Sequence, residues 1–224
     1  MKKILYTLAA ISLMASCNTE GTQEQQVDTS YEPDTVATEA EAIDWSDINT
    51  DEALIATALM AAPEESREDC KVIGFNMAGE IVTFKEGTNE FICLADDPKQ
   101  EGFNAACYHK DLEPFMARGR ELKKEGKSFQ EIFDIRENEA KSGQLQMPDP
   151  GRTLHIYYGA KAQYNPEDNK VADAKYRYVV YMPWATAEST GLPENPIAPN
   201  HPWIMNPGTH RAHIMITPLE EGEK

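Results

Sequence analysis

Two stretches of strict alternation constrain this chain more than any other feature. In RTLHIYYGA, residues 152–160, Leu154, Ile156 and Tyr158 share one side while Thr153, His155 and Tyr157 share the other. In AKYRYVVYMPW, residues 174–184, Tyr176, Tyr178, Val180 and Met182 fall together. A period of two is that of a strand, so both segments are read as strands. The link between them carries NPEDNK, the turn chemistry of a long hairpin loop. An antiparallel pair is therefore expected.

Other segments add to that pair. DEALIATALMAA, residues 51–62, follows Thr50 as a helix N-cap, places acids in its first turn and stops at Pro63. CKVIGFN and EIVTFKEG flank Met77-Ala78-Gly79, which predicts strand, tight turn and strand, and Phe91–Leu94 predicts a third strand. Leu112, Phe115, Met116 and Leu122, then Phe129, Ile132, Phe133 and Ile135, recur at helical spacing. Gly126 separates these two helices, and Ser128 with Glu131 forms a capping box for the second. After Trp184 the chain is crowded with prolines as far as Gly208, which excludes a continuous helix or a central strand. The expected fold class is α+β: a mostly antiparallel sheet with a few packed helices, in a single domain over residues 51–218.

The front end speaks of place. Lys2 and Lys3 precede an apolar run from Ile4 to Met14 that is too short to span a bilayer. Leu13-Met14-Ala15-Ser16-Cys17 resembles the lipobox of bacterial lipoproteins, with Met14 where leucine is usual. The resemblance implies a signal peptide over 1–16 and an acylated Cys17 as the first mature residue. It also implies a partner, the membrane, since two or more acyl chains anchor a protein stably. Asn18 in place of an aspartate leans toward the outer membrane of a Gram-negative cell, facing either the periplasm or the surface. Residues 17–50 hold nine acids and no lysine or arginine, the composition of a flexible tether reaching on the order of 30 Å. Ile43, Trp45 and Ile48 are its first bulky apolar residues and could dock. Residues 219–224 form a short acidic tail.

The whole chain carries 21 basic and 38 acidic residues; starting at Cys17 it loses Lys2 and Lys3, for a net charge of −19. Such an excess excludes nucleic acid as a partner, because phosphate binding needs a positive surface. With Cys17 assigned to lipid, Cys70, Cys93 and Cys107 remain. In an oxidising envelope the natural pair is Cys93 with Cys107, across a loop rich in Asp, Pro, Gly and Asn. Cys70 sits beside Glu68 and Asp69, which raise rather than lower a thiol's pKa, so a structural role is expected for it.

NPGTHRAHIMITP, residues 206–218, raises the one question about metals. On a strand over 210–217, His210 and His213 point to opposite faces, which does not suit chelation. His201, His210 and His213 are thus weak candidate ligands, His213 and Asp96 weak candidate catalytic groups, and no metal or cofactor is implied. For Asp96-Asp97 a capped turn is the expected role. None of the zinc, phosphate-binding or nucleophile-elbow signatures occurs. Trp184, Trp203 and His201, in or beside the irregular segment, are the candidate ligand contacts.

Gly87-Thr88-Asn89 followed by Phe91, Cys93 and Cys107, together with Pro207-Gly208 and His213–Ile216, resembles a loose group of uncharacterised exported bacterial proteins. The resemblance implies a shared domain over residues 53–218 and the Cys93–Cys107 pair, and no chemistry. The expected function is that of a membrane-anchored, non-enzymatic binding or interaction domain for a protein or small-molecule ligand. The alternative is an envelope enzyme or metal-binding protein using His213 with His201 or His210.

Overall fold

The alternating segments at 152 and 175 become neighbouring strands near the middle of an eight-stranded sheet. The computed structural model describes residues 44–219, all within one unit that runs from Ala42 to Lys224. In chain order it contains β1 (Ser46–Asp47), α1 (Asp51–Met60), a 3-10 turn (Glu64–Asp69), β2 (Lys71–Phe75), β3 (Ile81–Lys85), β4 (Phe91–Leu94) and β5 (Phe103–His109). A second 3-10 turn (Lys110–Leu112) leads into α2 (Glu113–Lys124), α3 (Phe129–Ser142), β6 (Arg152–Gly159), β7 (Gln163–Asn165) and β8 (Lys170–Val171). Then come β9 (Lys175–Tyr181), α4 (Ala187–Thr190), β10 (Trp203–Met205) and β11 (His213–Ile216).

The large sheet has the order β10-β11-β9-β6-β5-β4-β2-β3, and a small one has the order β1-β7-β8. Every pairing is antiparallel except β2 with β4. The protein is therefore α+β, with helices packed on both faces of a mostly antiparallel sheet.

Register assigns the two faces. One cross-strand row runs Val72, Cys93, Cys107, His155, Tyr178, Ile216 over six strands. Its neighbour on the opposite face runs Ile92, Tyr108, Leu154, Val179, Met215, Trp203. Helix α1 packs over the first face through Ala53, Leu54 and Ala58, meeting Val72, Ala105 and Tyr157. Leu112 and Phe115, at the start of α2, pack over the second face, against Tyr108, Leu154, Val179 and Tyr181. Full burial of one such apolar side chain contributes about 1.5–3 kcal/mol.

Local chemistry sets the helix ends. The Thr50 hydroxyl accepts the Ala53 amide at 3.2 Å, and Ser128 and Glu131 exchange both bonds of a capping box. At the other end of α1, the Arg67 guanidinium donates to the carbonyls of Ala62 and Met60, both at 3.2 Å. Carbonyls at a helix C-terminus have no intrahelical partner, and the Met60 carbonyl also accepts from the Tyr176 hydroxyl. Between α2 and α3, Gly119 makes room for Arg136, whose Nη1 would lie 2.9 Å from a Cβ added there. Arg136 uses the space to donate to the Phe115 carbonyl at 3.1 Å and to lie 4.0 Å over the Phe115 ring.

The structure redraws several boundaries. Ser46 and Asp47 pair with β7 and Ile48 is buried in the α1-face core, so ordered packing begins before the expected boundary at 51. Strand β5, a neighbour of β6 in the middle of the sheet, was not expected from the sequence. Its alternation is Phe103, Ala105 and Cys107 inward against α1, with Asn104, Ala106 and Tyr108 on the other side. The hairpin link from 160 to 174 carries two short strands, β7 and β8. The proline-crowded segment holds the turn α4, with a capping box between Thr186 and Ser189, and the sheet-edge strand β10. The expected signal peptide over 1–16, the expected tether over 17–43 with Cys17, and residues 220–224 lie outside the described residues.

Candidate functional site

The C-terminal histidines do not alternate as a strand over 210–217 requires, because the strand begins only at His213. His210 lies in the preceding turn, so strand parity does not govern it, and both rings face the side of the sheet covered by α2 and α3. His210 packs against Phe115 and Phe133, with ring centroids 5.8 and 4.9 Å away, and His213 against Tyr181 at 5.5 Å. His210 is fully buried, and its Nδ1 and backbone N–H both face the Glu137 carboxylate, at 2.7 and 3.3 Å. Nε2 of His210 has no partner. Such an imidazole–carboxylate pair is the arrangement of a general base, but three rings, of Phe115, Phe133 and Trp184, enclose it. Burial lowers the pKa of His210 despite Glu137, with Arg136 and Arg211 adding to the effect. His213 is buried as well, with Nδ1 2.7 Å from the Arg211 carbonyl, and burial lowers its pKa too.

The remaining sequence candidates form no common site with the two histidines. His201 is half-buried before β10, with Nδ1 lacking a partner. Trp203 packs at the rim of the core beneath α2, while Trp184 is exposed, with the Lys141 ammonium 5.9 Å above its ring. Among the described residues no three of these groups come within metal-binding reach; the one set that does is Cys70, Cys93 and Cys107.

Asp96 is buried and closes the β4–β5 connection by accepting the Asn104 amide at 2.9 Å, the capped turn that its sequence suggested. Burial pushes its carboxyl up to about 6, against the bonds from Asn104 and Asp97 that favour the charge. Its folded pKa thus lies above its unfolded value, so the fold loses stability as pH rises from about 4 through about 6. One pKa unit corresponds to about 1.4 kcal/mol, which puts the loss at about 3 kcal/mol. Asp96→Asn keeps the acceptor and removes the charge. At pH 8 its unfolding free energy from urea denaturation is expected to exceed the parent's by up to about 3 kcal/mol, with the gain vanishing near pH 4. A gain that does not change with pH would show that Asp96 is not ionising in a buried site.

A cleft of chemical interest lies on the α1 face, where the helix stops short of β9. Ala61, Ala62, Pro63, Glu64 and Arg67 form one wall of this cleft of about 360 Å³, and His155, Tyr176 and Tyr178 form its floor. Tyr157, Tyr176 and Tyr178 stack along it with centroids 4.4 and 6.2 Å apart, and His155 stands edge-on to Tyr178 at 5.3 Å. The Tyr176 hydroxyl donates to the Met60 carbonyl at 3.2 Å, which ties the floor to the end of α1. His155 and Tyr178 are half-buried, and burial holds the His155 pKa below its ordinary value. At neutral pH the floor is therefore uncharged and aromatic, with the Arg67 cation at its edge. The alternation of 152–160 and 174–184 placed these side chains on one face, but the cleft needs the end of α1, more than ninety residues earlier, for its wall.

No family model, curated protein or solved structure matches the chain. The geometry of the site itself therefore carries the functional reading.

Proposed function

We propose that the protein is a lipid-anchored envelope lipoprotein whose α+β domain is a non-enzymatic binding module. The cleft beside α1 would take a small molecule with a flat or apolar ring. The anchor rests on the Leu13–Cys17 motif and the acidic segment after it, which favour attachment to the outer membrane of a Gram-negative cell through acylated Cys17. Among the described residues no helix is long and apolar enough to cross a membrane. The observation that carries the binding half is the stacked tyrosine floor with its open neighbour His155. A ring laid on such a platform gains about 0.5–1.5 kcal/mol from stacking beyond the area it buries. His210 and His213 are both buried, which favours binding over catalysis at either imidazole.

Two measurements test the two halves separately. Cys17→Ala is expected to move the protein from the membrane pellet to the soluble fraction, and a variant that still pellets would remove the anchor. Saturation-transfer NMR with indole and with methyl β-glucoside is expected to show contact for at least one ring. Tyr178→Ala should then weaken that probe's binding about 2- to 12-fold. Equal transfer to the variant would place the binding surface elsewhere.

A further inference from the structure

The three cysteines outside the anchor gather at one point. Cys93 and Cys107 are register partners on β4 and β5 and form the expected disulfide. Cys70, at the joint between the first 3-10 turn and β2, is a free thiol and is fully buried. Its sulfur and the two disulfide sulfurs lie within 4.8 Å of one another. The thiol donates to the Ser66 carbonyl at 3.1 Å, and the Asn89 side-chain amide points at the same sulfur from 3.7 Å. Asn89 also donates to Ser66 at 2.8 Å, so Asn89 and Ser66 together hold the sulfur beside the bridge.

We propose that these residues form an intramolecular thiol–disulfide exchange site, with Cys70 as the nucleophile, Cys93 as the sulfur attacked and Cys107 as the leaving group. The Cys70 thiol gives its proton to solvent base. Its thiolate attacks Sγ of Cys93, the Cys70–Cys93 bond forms as the Cys93–Cys107 bond breaks, and the electron pair leaves on Cys107, which takes up a proton. One disulfide and one thiol stand on each side of the step, so no oxidant or reductant is consumed.

Strand order selects Cys93 as the centre. β4 lies between β2 and β5, so Cys93 neighbours both other cysteines. A Cys70–Cys107 bridge would cross two strand spacings, about 9–10 Å, beyond the roughly 7 Å that a disulfide tolerates between Cα atoms. The pairing of Lys71 with Ile92 and Val72 with Cys93 puts Cys70 on the diagonal to Cys93. Such diagonals span about 7–8 Å, so the turn must close in by about 1 Å. Cys70 precedes the strand ladder, and the turn Glu64–Asp69 before it buries none of its residues. A shift of about 1 Å has to be taken up there, within the bonds that Thr88 and Asn89 make to Asp69 and Ser66.

The charged groups that act on Cys70 are Arg67 and Asp69 of its own segment and Lys85 of β3, and burial outweighs them in raising the thiol's pKa. Only the thiolate attacks, so the exchange rate should rise about tenfold per pH unit below that pKa.

The test uses the oxidised full-length mature protein, incubated without reductant from pH 6 to 9, quenched in acid and alkylated. Tryptic cleavage at Lys71, Lys85, Lys99 and Lys110 puts each cysteine in its own peptide. Mass spectrometry is expected to find alkylated Cys107 and a Cys70–Cys93 cross-linked peptide, appearing about tenfold faster per pH unit. Label confined to Cys70 at every pH overturns the proposal. Cys107→Ser should form the Cys70–Cys93 bridge in air and retain no free thiol among the three positions, whereas two persistent thiols contradict it. Cys93→Ser should keep Cys70 and Cys107 both reduced. A bridge between those two would refute Cys93 as the central sulfur.

Discussion

Gly87→Ala is expected to leave little folded protein. An added Cβ would overlap the Lys71 amide nitrogen and the Cys70 carbonyl carbon, and it would stand 2.6 Å from the Asp69 carbonyl oxygen. All three are backbone atoms, so no rotamer change relieves the clash. The β3–β4 connection would have to lift off the turn before β2. That would break the bonds from the Thr88 and Asn89 amides to the Asp69 carbonyl, at 2.9 and 3.3 Å, and from Asn89 to Ser66. Three hydrogen bonds plus the lost packing beside buried Cys70 amount to about 4 kcal/mol or more. Domains of this kind have about 5–15 kcal/mol in total. Urea denaturation followed by far-UV circular dichroism measures the change, and a variant within about 1 kcal/mol of the parent would show that the close approach is not real.

Phe115→Ala is expected to cost about 3–5 kcal/mol, the range for deleting a buried aromatic ring. Phe115 is 1% exposed at the centre of the core between the sheet and α2. Its ring meets Tyr181 and His210 edge-on at 5.6 and 5.8 Å and carries the Arg136 guanidinium on its face. The cost is therefore more than a cavity. Arg136 is itself buried, its Nε has no partner, and burial with Arg211 nearby lowers its pKa to about 10. Without the ring, a buried cation loses its principal contact. Phe115→Leu refills most of the volume but not the π face, and should recover about half the loss. A loss below about 1.5 kcal/mol for the alanine variant, by the same denaturation, would show that the helix layer is loosely packed there.

Much of the framework was legible because it is local. Period two in 152–160 and 174–184, the N-cap at Thr50 and the capping box at Ser128 are features a few residues can specify. β5 escaped because Ala105 and Ala106 give its middle a weak strand signal, although its alternation is intact. An alanine-rich segment becomes a central strand when α1 packs closely over it, and Ala105 is fully buried there. The histidines escaped for a different reason. Where a strand begins decides which face its residues take, and a start at 213 rather than 210 removes the opposition between His210 and His213.

Cys70 marks the same divide. Its pKa is raised, the direction expected from Glu68 and Asp69, but burial is the largest cause and Asp69 a lesser one. Nothing within ten residues of it shows that Asn89 folds back upon it or that a disulfide lies beside it. By itself, then, the sequence determined the α+β class, most of the elements and the alternation that puts His155 with Tyr157 and Tyr176 with Tyr178. Only the tertiary structure decided that α1 stops short of β9 and leaves a tyrosine floor open, and that three sulfurs converge where β2, β4 and β5 meet. The physical reason is range: hydrogen bonding and side-chain periodicity act between near neighbours in the chain, whereas a cleft or a sulfur cluster depends on strand order and on which surface a helix covers.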